Sequence, residues 1–271
     1  MAENSDPIVD NPSPERVAYA IGRMLGAEDF QAEQNYHRAG LARLTRMFGT
    51  GTVNGLSVSV LADKDPEKIE VRVNSGMAID RAGRVIEVPA QVCIRLKKFL
   101  DAQNDSDLAL SFKEASKALL ADVFLSFVAC DRGMTPALGV AEYDATDAFT
   151  ADRTLDGFRM ELVLRKDDPK LPVNAWDQAV PKGASGTAVL DAAKAFLLDP
   201  KSTPAAAQEY PPEYDKTAVF LARISVAGTS AGAGKRPSLD LTAITIDNTS
   251  RLFVYPPSLL ARVIPLLAVN P

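Results

Sequence analysis

One histidine, His37, and two cysteines, Cys93 and Cys130, are all that this chain of 271 residues offers of the side chains most used in nucleophilic and metal chemistry. Both cysteines lie in apolar, strand-like stretches, QVCIRL and VFLSFVAC, where cysteine behaves as a small hydrophobe. No CxxC and no Cys/His spacing suited to a metal occurs. Two cysteines do not build a disulfide-dense secreted scaffold, so the chain is expected to fold in the reducing cytoplasm. No serine sits in a GxSxG elbow, which argues against a serine or cysteine hydrolase. Basic charge is also short: the net charge is −5, which excludes a general nucleic-acid binder that must replace counterions along a phosphate backbone. No run reaches the roughly 18 apolar residues of a membrane-spanning helix. The opening MAENSDPIVDNPSPE lacks the basic and apolar regions of a signal peptide. Two glycine-rich stretches fail as phosphate loops. GTGTVNG runs from helix into strand, and in GTSAGAGKRPS the Gly-Lys pair is followed by Arg236 and Pro237 and then a strand.

What the chain has in quantity is apolar residues, 46%, against 24% charged, enough for a substantial core. Residues 1–15 read as a flexible arm and 16–25 as a short helix ending near Gly26. A longer helix follows from about Asp29, with Phe30, His37, Leu41, Leu44 and Phe48 on one stripe predicted to face the core. His37 is then a packing residue. Arg38, Arg43 and Arg46 occupy the opposite face, and the acids Glu28, Asp29 and Glu33 lie near the start, as the helix dipole favours. Gly49, Gly51 and Gly55 punctuate the turn into a period-two strand at Leu56, Val58 and Val60. Residues 53–96 read as four or five antiparallel strands, with a hairpin turn at Arg81-Ala82-Gly83. Residues 97–121 read as helix with a polar interruption, 131–153 as a long loop, and 185–198 as containing a helix. Strands at 123–130, 158–165, 218–226 and 241–247 would form a second sheet.

The predicted fold class is therefore α+β, mainly antiparallel β, with an N-terminal helix packed on a small β unit and a second β lobe with peripheral helices. The expected divisions are an arm and short helix over 1–27, helix plus β unit over 28–100, a second lobe over 101–255 and an apolar tail over 256–271. The tail crowds Leu259, Leu260, Val263, Ile264, Leu266 and Leu267 around Pro265. Such a segment needs cover, either from the chain's own sheet or from a neighbouring subunit.

Three constellations compete for a function. The acids Glu142, Asp144, Asp147, Asp152 and Asp156 share one predicted loop and offer hard oxygen ligands that suit Ca²⁺ but miss EF-hand spacing, so they read first as a solvated acidic loop, with an ion site or a hydrolase's carboxylates as the alternatives. Tyr143, Phe149 and Trp176 are candidate sugar platforms for a cell-surface glycan-binding module. Arg38, Arg43, Arg46 and the tail residues are candidate partner contacts.

Five segments occur in a fixed order: DFQAEQNYHRAGLARLTRMFGTGTVNGLSVSV, VRVNSGMAIDRAGRVIEV, FRMELVLR, AVFLARISV and ITIDNTSR. Together they resemble a family of structural proteins from contractile phage tails and related extracellular injection systems, similar to the base regions of tail-fibre and baseplate proteins. The likeness touches roughly residues 28–96, 123–165 and 218–251. It implies a non-enzymatic particle subunit with no catalytic residues, metal or cofactor. The implied partners are other tail, baseplate or fibre proteins, together with copies of the chain itself, a trimer being the first expectation. The implied destination is a tail or tail-like particle.

Overall fold

A computed structural model describes residues 6–10, 14–136, 149–173, 187–198 and 207–258. Alternation starting at the glycine-rich turn builds six short strands: β1 (Gly51–Gly55), β2 (Val58–Leu61), β3 (Glu70–Val73), β4 (Gly76–Ile79), β5 (Val85–Val88) and β6 (Val92–Arg95). They form two three-stranded antiparallel sheets, ordered β1-β4-β5 and β2-β3-β6. Period two is visible in β3, where Val71 and Val73 are buried while Glu70 and Arg72, on the other face, pair at 3.0 Å.

A four-residue helix, α1 (Pro7–Asp10), packs against the 20-residue α2 (Ala27–Arg46) at the N-terminal end. After β6 come α3 (Leu96–Asp101) and α4 (Asp105–Ser111), which lead into β7 (Phe112–Lys113), β8 (Ala118–Pro136) and β9 (Phe149–Leu164). A peripheral helix, α5 (Thr187–Leu198), precedes β10 (Val219–Thr229) and β11 (Ser238–Asp247). The second sheet runs β11-β10-β8-β7, with β9 also paired to β8, and every pairing is antiparallel. The α+β class and the four predicted strands of this sheet are as the pattern indicated.

One apolar cluster links the sheets. Leu56, Val71 and Ile86 of the small sheets share it with Leu119, Val123 and Ile224 of the large one. A smaller cluster of Phe124, Tyr210, Ala218 and Phe220 lies on the other face of β8 and β10.

Four local expectations fail, each for a physical reason. Residues 16–25 carry no helix: Gly22 turns at φ +83°, and an isolated stretch this short does not nucleate. The arm is anchored at residues 6–10, where Ile8 is buried and Asp6 accepts from Arg38 and Arg84 at 3.1 Å each. Residues 112–121 are β7, a turn at 114–117 and the start of β8, with Phe112, Leu119 and Ala121 buried in the core. Much of the predicted loop at 131–153 is strand: β8 and β9 stay in register from Ala121↔Leu164 out to Pro136↔Phe149. Beyond Val128 this ribbon is largely exposed and leaves the body of the molecule as a two-stranded arm.

The fifth difference is the orientation of α2. The stripe predicted to face the core points to solvent, with Leu41 65%, Leu44 59% and Phe48 58% exposed. The side chain of His37 is 68% exposed. Ala39 and Ala42, on the other side, are the buried residues of the helix.

Candidate functional site

The junction between α2 and β1 is built by glycines and small residues. Gly83 closes the β4–β5 turn at φ +90°, and a Cβ there would run into the carbonyl oxygen of Ala42. Thr45 donates its hydroxyl to the Gly83 carbonyl oxygen, and Thr50 donates to the Ile79 carbonyl oxygen at 2.9 Å. Such close backbone approach admits alanine and excludes leucine or phenylalanine, which is why the apolar stripe turns outward. His37 therefore does not seat the helix. It lies 3.6 Å from Glu33 on the open face.

The AIDRAGR segment is used the same way. Asp80 accepts from the Arg84 amide at 2.8 Å and from Arg84 Nε at 2.6 Å, and Arg84 Nη2 reaches Thr217 at 2.9 Å. Burial raises the Asp80 carboxyl above its ordinary value, with the Arg84 charge opposing. In ITIDNTSR, Asn248 makes a two-way clasp on Val58, accepting from its amide and donating to its carbonyl oxygen, both at 2.8 Å. Arg251 donates to Leu56 O at 2.8 Å and to Asn248 O at 2.9 Å. Burial lowers the Arg251 guanidinium to about 10, which leaves it protonated at neutral pH. Leu252 O and Val254 N pair with the backbone of Thr52 at 2.9 Å. The end of the described chain thus closes onto β1.

A dense polar cluster lies on the face of β8 and β10 that carries Phe124 and Phe220. Asp122, fully buried on β8, accepts from Arg165 and from Arg223, the latter at 2.8 and 3.0 Å. Arg165 also holds Asp167 at 2.8 and 2.9 Å and donates to Glu209 O at 2.6 Å. Burial opposes the Arg165 charge, but Asp167 and Asp122 outweigh it and its pKa lies above the ordinary value. Hydrogen bonds from Arg165 hold Asp167 below the usual carboxylate range. Arg81 pairs with Glu209 and donates to the Tyr210 hydroxyl at 3.0 Å.

Carboxylates, arginines and a phenol in one place could suit acid–base work, but the geometry does not deliver it. Burial drives the Tyr210 and Tyr214 phenols upward, so both stay protonated and act as donors. The cavity bordered by Arg81, Glu209 and Tyr210 has a volume of about 10 Å³. That is room for about one water, far below a substrate cleft. Among the described residues the cluster clamps β8, β9 and β10 to one another, and Arg81 of the β4–β5 turn joins it through Glu209 and Tyr210. Glu209 and Tyr210 come from a proline-rich stretch that reads as a linker, and nothing in its local pattern announces two buried side chains. Asn248 and Arg251 did carry a signal, the IDNxxR spacing.

The predicted site residues scatter. Arg38 is half-buried and holds Asp6, Arg46 lies over the Gly83 turn, and Arg43 is exposed. The tail residues Leu259, Leu260, Val263, Ile264, Leu266 and Leu267 lie outside the described residues, as do Glu142, Tyr143, Asp144, Asp147 and Trp176. Asp152 and Asp156 stand on the exposed arm in β9, and Phe149 opens that strand. No group of three or more potential metal ligands gathers among the described residues. Among the same residues, no helix is long and apolar enough to cross a membrane.

No protein-family model matches the chain, and no curated protein matches it. Among solved structures, a crystal structure of TssK aligns with a TM-score of 0.34 and 12% identity over 95% of this chain. This chain spans 47% of that TssK chain, about half its length. A cryo-electron microscopy structure of the type VI secretion system TssK-TssF-TssG baseplate subcomplex aligns with a TM-score of 0.32 and 12% identity, over 94% of this chain and 68% of its counterpart.

Proposed function

We propose that the chain is a non-enzymatic structural subunit of a phage tail or tail-like contractile injection particle, linking fibres to a baseplate or joining the particle as an accessory. The reading is carried by how the motif residues are used. Asp80 with Arg84, Asn248 with Arg251, and the glycines of the α2–β1 junction all lock backbone to backbone, and none of them converges on a cavity of substrate size. A scaffold of this kind presents surfaces to neighbours, and two are available: the outer face of α2 and the β8–β9 arm. Among the described residues no third strand pairs with the outer part of the β8–β9 arm, a form suited to strand addition by a partner. Its partners are other baseplate or fibre proteins, and the chain associates with itself.

Mass spectrometry of purified tail-like particles tests the role. The chain is expected at a fixed ratio to sheath and baseplate proteins, and particles from a strain deleted for it are expected to lose fibres or fail to assemble. Intact, fully functional particles in the deletion strain would overturn the assignment.

A further inference from the structure

The outer end of β9 carries an unpaired edge with a distinct charge pattern. From Ala151 to Asp156 it pairs with β8 through Ala151↔Met134, Arg153↔Arg132, Thr154↔Asp131, Leu155↔Cys130 and Asp156↔Ala129. Among the described residues no strand pairs with its other side. The matching edge of β8 is interrupted, because Gly133 turns left-handed at φ +70° within it. No residue from Ala151 to Asp156 has a positive φ. Every second residue of this stretch turns its amide and carbonyl away from β8, as an added strand requires.

Side chains alternate between the two faces of the ribbon. Ala151, Arg153 and Leu155 stand on one face, with Arg132 directly across from Arg153. Asp152, Thr154 and Asp156 stand on the other, with Asp131 directly across from Thr154. All of these residues are exposed. One face is basic and apolar, and the other is acidic. Two guanidiniums directly opposed across a ribbon repel each other. Arg153 lies 3.5 Å from its chain neighbour Asp152, an open contact that offsets little of this. Thr154 donates to Asp131 at 3.0 Å, which leaves the acidic face its charge.

From this pattern we infer that the edge of β9 from Ala151 to Asp156 receives an extended segment of a different protein, with a carboxylate opposite Arg153, basic side chains opposite Asp152 and Asp156, and an aliphatic side chain opposite Leu155. Read antiparallel to β9, that segment runs basic, aliphatic, polar, acidic, basic. The same charges turn away a second copy of this chain. A two-fold pairing of β9 with itself centred on Asp152 opposes that aspartate to its own copy. Centred on Arg153 it opposes two arginines, and centred on Thr154 it opposes Asp152 to Asp156. Each register sets like charge on like. The inference deepens the docking role given to the arm above and rests on that reading.

The test uses the full purified chain and two synthetic peptides. The first is Thr-Lys-Val-Thr-Glu-Lys-Val-Thr, and the second exchanges its lysines and glutamate. Calorimetry should show the first binding about tenfold tighter than the second, since three opposed pairs change sign between them. A chain carrying Asp152→Lys, Arg153→Glu and Asp156→Lys should invert that preference with an unchanged circular dichroism spectrum. Amide exchange at alternate residues from Ala151 to Asp156 should slow when the first peptide binds, while Cys130 to Met134 keep their rates. No binding at millimolar peptide would overturn the proposal, as would equal binding of both peptides or protection along β8. Self-association that protects the β9 edge without peptide would overturn it in favour of a second copy. The deletion strain described above separates this from the particle role. Matched peptide binding with intact deletion particles removes the role and keeps the edge, and fibre loss without peptide binding does the reverse.

Discussion

At the scale of single residues, stability rests on a few side chains that hold backbone groups of distant segments. Arg251 is buried, and its guanidinium satisfies carbonyl oxygens of Leu56 and Asn248. Replacing it with methionine leaves those acceptors without partners, and a loss of about 3 kcal/mol is expected in urea unfolding. Asp247 follows a different logic. Burial pushes its carboxyl up, but hydrogen bonds from Ser250 and Thr249 outweigh burial and hold it at about 2, below the unfolded value of 3.8. Because the folded value is the lower one, the stabilisation is complete above the unfolded value and fades as pH falls through about 2. The Asp247→Asn variant keeps an acceptor for the turn and should flatten the loss of melting temperature between pH 4 and pH 2, measured beside the parent chain.

At the scale of elements, the α2–hairpin contact and the β8–β9 ribbon behave in opposite ways. Gly83→Ala forces a side chain into the Ala42 carbonyl at a positive φ, so about 3 kcal/mol should be lost and amide exchange in α2 should accelerate. Replacing residues 131–154 with a two-residue Asn-Gly turn removes the arm, exposed at 131–135 and 151–154, together with the stretch between the strands. The melting temperature should then change by no more than a few degrees, while incorporation into particles falls.

These same elements mark what sequence could and could not reveal. The β4–β5 hairpin was legible because its signals are local: alternation on both sides and a glycine where φ must be positive. The glycine-punctuated turn into β1 was legible for the same reason. The inward face of α2 was not legible. Apolar periodicity identifies an amphipathic face but not the surface that face meets, and here the body offers a close-set turn that accepts only small residues. The arm was missed because Asp131, Arg132, Arg153 and Thr154 show no apolar alternation: both sides of that ribbon face water, so pairing leaves no imprint in the pattern. The lock of Asp122, Arg165 and Arg223 was equally hidden, since its partners are far apart in sequence and meet only when β8, β9 and β10 assemble.

At the scale of the whole molecule, one apolar cluster contains residues from both the 28–100 and the 101–255 segments. Leu56 and Val71 share one core with Leu119 and Ile224, and Asn248 and Arg251 return from the far end of the described chain to hold β2 and the residues before it. Unfolding should therefore be a single transition, with fluorescence and circular dichroism coincident. A fragment of residues 28–100 should lack a cooperative melt, because its inner face would be bare. Two separated transitions would show that the shared apolar cluster does not couple the halves.

The length of β8 has a mechanical meaning. Its 19 residues extend for about 60 Å, so one unbroken strand belongs both to the interior and to the outlying tip. Tension applied at that tip runs along the strand axis, across many ladder bonds at once, and is shared with β10 before any single pair gives way. The tip is thus a lever whose fulcrum is the core itself, able to carry a tug from outside into the centre of the molecule.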